Sequence, residues 1–408
     1  IDSGNTTENT VTSSANWCED EERRRAWWAI WEMDVFASVI RRCPTAIDWS
    51  QNETYLPVDD EYWFRGEPRP SCYLEPDLLG RWKALQDSGN QSPKAWFIVV
   101  NSWMKEAQII SSPSSVKKLP ATEFRRGNNR SLNGSRQVAR DRSRESLSKL
   151  STLYNCVRCF MTALPSHLRY NMQYLSFGSR GPEQSGRANS DRQLHSYIYG
   201  IHMTLQLTKL YIHHYHVFGS AARSARSKAE AMNCQCSTDG LHQAQVHLDS
   251  HRMQVNENRA RSEYFEAADE ILLMVQRSYE QHYRFVNPFL ANTVWLGAAV
   301  QLVHKEFAPT ANDNAVVRSN FEILCLTYKQ FVNYWDISTA LQQNRDMLGA
   351  QRERFRTTSQ NHTDEDRSSA EQGGLTDTGR PSNKLFSNNS HNDRAKTRDV
   401  GNDIKSTN

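Results

Sequence analysis

An all-α fold is predicted by three features of the 408-residue chain. Large apolar residues recur at i, i+3, i+4 and i+7 in a few long blocks. The alternation of a half-buried strand is sustained nowhere, and most of the eleven tryptophans fall inside those helical blocks. Hydrophobic residues make up only 38% of the chain and mean hydropathy is −0.74. Long polar segments therefore dilute an ordinary core. The expected architecture is a single large multi-helix domain over residues 19–348, with disordered inserts at about 111–145, 178–192 and 219–259. Residues 1–18 and 349–408, rich in small and polar side chains, are expected to be disordered.

The first helix is predicted over residues 21–42. Trp27, Ile30, Trp31, Asp34, Ala37, Ser38 and Ile40 follow its period, with acidic residues at the N-terminal end where the helix dipole favours them. Pro44 stops it, because proline lacks an N–H and biases the preceding residue away from helical geometry. Residues 45–72 read as extended and turn-rich. A helix over 93–110, WFIVVNSWMKEAQII at its centre, is too apolar all round to lie on a surface. Further helical blocks are predicted at 146–164, 194–218, 263–281, 287–307 and 318–348.

A net charge of +3 gives no global field that would argue for nucleic acid. No apolar run approaches the roughly 20 residues needed to span a bilayer, and no secretory signal opens the chain, so a soluble protein with no membrane partner is expected. The first residue is Ile1, not Met, which leads us to expect a further segment upstream. Eight scattered cysteines do not form a secreted disulfide framework and fit a reducing compartment, cytosol or nucleus.

Residues 21–64, EERRRAWWAIWEMDVFASVIRRCPTAIDWSQNETYLPVDDEYWF, carry the most information. A tryptophan-rich helix holding Asp34 ends at Cys43-Pro44, passes Ala46-Ile47-Asp48, and leads through an extended segment to Leu56-Pro57. This order resembles the opening of the fungal-specific transcription factor regulatory domain, the middle homology region of zinc binuclear cluster and xylanolytic-activator-type regulators. Residues 90–110, 264–278, 287–307 and 319–341 resemble later blocks of the same family, in its order. The motif residues that the resemblance singles out are Trp31, Asp34, Pro44, Asp48 and Pro57. Two positions depart from the family pattern: Val35 follows Asp34 where arginine is common, and Arg42-Cys43-Pro44 replaces Gly-Arg-Pro.

The resemblance implies a nuclear regulatory domain, not an enzyme, acting on RNA polymerase II transcription. Its implied partners are DNA through an upstream module, a small-molecule effector, transcriptional co-regulators and a second copy in a homodimer. The family's DNA-binding module begins C-x2-C-x6-C and holds two zinc ions on six thiolates, donors well suited to zinc. No such array is present. Cys156 and Cys159 form the one C-x2-C, inside an apolar helical pattern, so no cofactor or metal is assigned to this chain and zinc belongs to the expected upstream module.

Several constellations carry a sharper reading beside a plainer one. Asp34 reads as a buried carboxylate partnered by Arg23, Arg24 or Arg41, either in a switch or, as favoured, in a structural ion pair or helix cap. Asp59-Asp60-Glu61 suggests magnesium and pyrophosphate chemistry in an all-α enzyme. That chemistry needs a second acidic motif, and Asn312-Asp313-Asn314 lacks the Ser and Glu it would require, so a solvated turn is favoured. Cys234, Cys236, His242, His247 and His251 are possible zinc ligands, yet polar intervening residues favour an insert with incidental ligands. His213, His214 and His216 read as core histidines. The arginines of 117–144 read as a solvated linker ahead of a nucleic-acid or import segment. A helical protein-interaction scaffold without DNA binding is the alternative function, and an all-α metal-dependent enzyme the third.

Overall fold

The computed structural model describes residues 6–48, 52–112, 131–178, 185–231, 240–305 and 311–337. All lie within one unit, residues 1–341. Nine α-helices form among them: α1 (Thr6–Arg41), α2 (Asp60–Arg65), α3 (Gly80–Asp87), α4 (Pro93–Ser111), α5 (Ser131–Ala163), α6 (Ser185–Ala231), α7 (Gly240–Gln276), α8 (Ala291–Lys305) and α9 (Ala311–Trp335). No strand forms among the described residues, where one isolated bridge joins Leu175 and Ser278. The all-α prediction holds.

Helix α4 is the centre of the core. Every residue from Ala95 to Lys105 is buried, as a helix apolar on nearly every side requires. It packs along α6 and also meets α1 and α5. Helices α6, α7, α8 and α9 then pack in succession, each against the next. Trp28, Trp31, Trp96 and Trp103 are all fully buried. Trp96 and Trp103 meet Phe160 of α5 at 5.2 and 5.1 Å between ring centroids, and Phe36 of α1 stacks on Phe289 at 5.3 Å. These contacts join segments up to 250 residues apart into one dry interior, the term that dominates stability. Gly200 of α6 lets α4 approach closely, since a Cβ there would sit 3.3 Å from the Phe97 ring.

Several helices run longer than predicted. Helix α1 begins at Thr6 instead of near residue 21, α5 begins at Ser131 inside the arginine-rich stretch, and α6 continues to Ala231. Helix α7 begins at Gly240 within the insert expected at about 219–259, and α6 begins at Ser185 within the one expected at about 178–192. None of these extensions contains proline, and α6 ends in SAARSARSKAEA, where Ala, Arg, Lys and Glu are strong helix formers without needing an apolar face. Low apolar content conceals such a helix from a reading based on periodicity. Helix α3 lay in a stretch assigned no element. Residues 113–130 and the tail from 338 lie outside the described residues.

Candidate functional site

The corner after α1 is built from its own sequence and from α4. Arg42 adopts a positive φ of 53°, Cys43 N–H donates to the Ser38 carbonyl at 3.1 Å, and Arg42 N–H donates to Val39 at 3.4 Å. This is a Schellman ending with arginine where glycine is the usual residue. A non-glycine side chain in this conformation is strained by about 1–2 kcal/mol, part of which glycine's greater unfolded-state freedom would cancel. Arg42→Gly is therefore expected to raise stability by about 0.5–1 kcal/mol, read as a higher urea midpoint at unchanged m-value.

Among the described residues no arginine pairs with Asp34. Its two carboxylate oxygens accept from the backbone N–H groups of Ala46 (3.0 Å) and Ile47 (2.9 Å), folding the chain beyond Pro44 back onto α1. Arg23 instead pairs with Glu19 and Asp20, and Arg24 with Glu21. The reason is geometric: once Pro44 ends the helix, the amides of Ala46 and Ile47 fold back over the carboxylate about two turns before the helix end, so the structural role is met by backbone donors. Asp34→Ala should cost about 1–2 kcal/mol, at the low end for charge-assisted bonds because the site is only half-buried. Thermal melts of the two proteins check this; an unchanged melting temperature would remove Asp34 from the corner's energetics.

The remaining motif residues have distinct places. Trp31 is buried and meets Trp28 edge-on at 5.2 Å. Pro44 and Asp48 are exposed on the turn. Pro57 is buried, and its carbonyl accepts from Asn90 Nδ2 at 3.0 Å. The extended segment around it is gripped from both sides. Trp28 Nε1–H donates to the Tyr55 carbonyl (2.7 Å), Leu56 N–H to Cys72 (2.8 Å), and Ser71 Oγ–H to Leu56 (2.6 Å). Glu21, absent from the sequence-based candidates, is fully buried beside this segment. It accepts from Val58 N–H (2.9 Å), Arg24 (2.9 Å) and Arg25 (3.1 Å), while Arg25 also donates to the Val58 carbonyl (2.7 Å) and pairs with Asp60. Burial raises the Glu21 carboxyl above its ordinary value, opposed by the Val58 amide and the two guanidinium groups.

A cavity of about 450 Å³ opens between the α1 ending and helices α4, α6, α7 and α8. Its size falls within the roughly 300–1,000 Å³ of small-molecule sites. Leu210, Tyr264, Leu296, Val300 and Val303 form much of its wall, and Arg42, Lys105, Gln108, Tyr211 and His214 supply polar groups. Lys105 is the one cation in the apolar run of α4, the signal in the sequence that marks this place. Its ammonium donates to the Cys43 carbonyl (2.9 Å) and Gln108 Oε1 (3.0 Å), and Gln108 Nε2 donates to the Val39 carbonyl (2.7 Å). Two α4 side chains thus satisfy carbonyls at the negative end of α1. Burial lowers the Lys105 ammonium, with Cys43 and Asp34 opposing. Burial pushes the Tyr211 phenol up to about 12 and lowers the His214 imidazole, the latter aided by Arg42.

The other candidates resolve as follows. Asp59 caps α2 by accepting from Glu61 N–H (3.0 Å), Asp60 pairs with Arg25 and accepts from Gln193, and Glu61 pairs with Arg65 (2.6 Å). All three acidic side chains are thus in structural use, and the side chains of Asn312, Asp313 and Asn314 lie outside the described residues. Among the described residues no three His, Cys, Asp or Glu side chains gather as metal ligands. Cys156 is buried, its thiol pushed up to about 11 by burial, whereas Cys159 is exposed. His213 is buried with Nε2 3.0 Å from Glu263, as a core histidine should be, and His214 is half-buried at the cavity. Cys234 and Cys236, and the side chains of His216, His242, His247 and His251, lie outside the described residues, as do the arginine side chains of 117–142. No helix among the described residues is long and apolar enough to cross a membrane.

No curated protein and no solved structure matches the chain. One family model does, over residues 3–99, and its description is "fungal specific transcription factor domain". The matched stretch contains α1, the Asp34 corner, the gripped segment around Pro57 and the start of α4. Residues 3–99 are thus similar to the fungal specific transcription factor domain, over about a quarter of the chain.

Proposed function

We propose that this chain is the regulatory part of a fungal zinc-cluster-type transcription factor acting on RNA polymerase II transcription in the nucleus. Sequence-specific DNA contact and zinc are assigned to a cysteine module preceding Ile1. The observation that carries the reading is the corner within residues 3–99, where Trp31, Asp34 and Pro57 each hold the chain's course by packing or hydrogen bonds. Trp31, Asp34, Pro44, Asp48 and Pro57 form its regulatory motif. Helix α1 is unbroken over 36 residues, about 54 Å, so a displacement at its ending is carried along one rod to its start. A change at the α1 ending can then reach the attached module as a rigid displacement. Co-regulators and a second copy are the partners this reading assigns.

Fusing residues 1–408 to a neutral DNA-binding module on a reporter tests the proposal. Reporter output should change at least several-fold relative to the module alone, and Asp34→Ala should alter that change at equal protein level. Unchanged output across growth conditions would overturn the regulatory reading and favour the interaction scaffold.

A further inference from the structure

The cavity at the α1 ending combines an apolar body with unbalanced positive charge. Among the described residues, its lining includes Arg42 and Lys105 but no carboxylate. Arg42 is exposed and has no ion-pair partner among the described residues. Lys105 is 1% exposed, and two of its three ammonium hydrogens are used, on the Cys43 carbonyl and Gln108. A buried ammonium at the wall of an apolar cavity, with one donor beyond these two, gains from a further acceptor. The remaining polar groups, Tyr211, His214 and Gln108, are uncharged donors and acceptors that can orient a head group without repelling an anion.

We infer that this cavity binds an amphipathic carboxylate, whose hydrocarbon body lies against Leu210, Tyr264, Leu296, Val300 and Val303 and whose head group pairs with Arg42 and Lys105. The charge pattern selects the class. An uncharged hydrophobe would leave Arg42 without a counter-charge, and an amphipathic amine would meet both cations head on. Because Lys105 of α4 bonds the Cys43 carbonyl just past the α1 ending, the ligand would tighten the contact between α1 and α4, making the corner its point of leverage. The inference goes beyond the transcriptional reading and stands on the cavity alone.

Calorimetric titration of the purified chain tests it with three probes of one body: decanoate, 1-decanol and decylamine. Decanoate should bind saturably at one per chain, about tenfold more tightly than decanol, the value of one or two charge-assisted hydrogen bonds, and decylamine more weakly still. Arg42→Gln, at an exposed position, should remove about tenfold of decanoate affinity while leaving decanol unchanged. Ala299→Phe, which fills the cavity from its half-buried wall, should weaken both. Should Ala299→Phe fail to fold, Val303→Phe fills the same space. Equal binding of decanoate and decanol, no saturable decanoate binding at millimolar concentration, or an Arg42→Gln protein that keeps the decanoate preference would each overturn the inference. A silent reporter fusion would leave these titrations unaffected, so the two readings fail separately.

Discussion

Glu21→Ala is expected to destabilise the fold by about 3 kcal/mol, the largest effect of any single polar substitution outside the aromatic core. Its carboxylate is 0% exposed and serves Arg24, Arg25 and the Val58 amide together. Removing one member of a buried ion cluster costs about 3–5 kcal/mol because the partners stay buried without compensation. The low end applies because Arg24 and Arg25 are about a fifth exposed and because Arg25 retains Asp60 and the Val58 carbonyl. Urea unfolding of the two proteins measures the difference, and a loss under about 1 kcal/mol would mean that water relieves the cluster. A double-mutant cycle with Arg24→Ala, whose described ion pair is with Glu21, should show coupling, since the two changes remove the same interaction. The cluster also joins α1 to the segment at 55–60, so this region should become the first to exchange amide hydrogens in the variant.

Acid is expected to unfold the protein well above the carboxylate range. His202 and His282 are buried, and burial lowers both imidazoles to about 4. The local bonding fits neutral rings. His282 donates through Nδ1 to the Tyr279 carbonyl (2.8 Å) and accepts at Nε2 from the Tyr199 hydroxyl (3.2 Å). His202 Nε2 lies 3.2 Å from the Tyr170 amide and 3.1 Å from the Leu168 carbonyl, and His195 Nδ1 accepts from Phe177 N–H at 3.0 Å. Each ring's folded value lies below its unfolded one, near 6.5. Stability is therefore whole above pH 6.5 and falls as pH drops towards 4, because the unfolded chain takes up protons that the fold refuses. Each histidine contributes a slope of about 1.4 kcal/mol per pH unit in that window, so the pair approaches about 4 kcal/mol at pH 5. His195 and His214, also lowered by burial, add in the same direction. Glu21 acts oppositely just above pH 4.5, where the fold keeps a proton the unfolded chain has lost, and flattens the lower end. Urea midpoints at pH 7, 6 and 5 test this. His282→Gln should remove about half of the pair's slope, and a midpoint flat across that range would exclude buried neutral imidazoles.

Much of the corner was legible before folding. Pro44 predicts the helix stop, and the run around Trp96 predicts the buried helix, because a missing donor and an all-round apolar surface each allow few outcomes. Asp34 was recognisable as a residue needing partners, but the partners themselves were not. Three arginines were close in sequence, whereas the amides of Ala46 and Ile47 come within reach only after the chain reverses. Helix ends escaped for another reason: the extensions of α1, α5, α6 and α7 carry no apolar period, so nothing in their pattern announced them.

The residue order by itself determined the helical class, the proline stop, the central position of α4 and the family signature in residues 3–99. These are local or statistical properties, set by propensity, periodicity and turn chemistry within a few residues. Only the tertiary structure decided that Glu21 is buried, that Lys105 and Gln108 satisfy the end of α1, and that five separate segments enclose one cationic, apolar cavity. Such facts depend on distances between residues far apart in the chain, which are fixed when the hydrophobic interior closes and each buried polar group must find its partner.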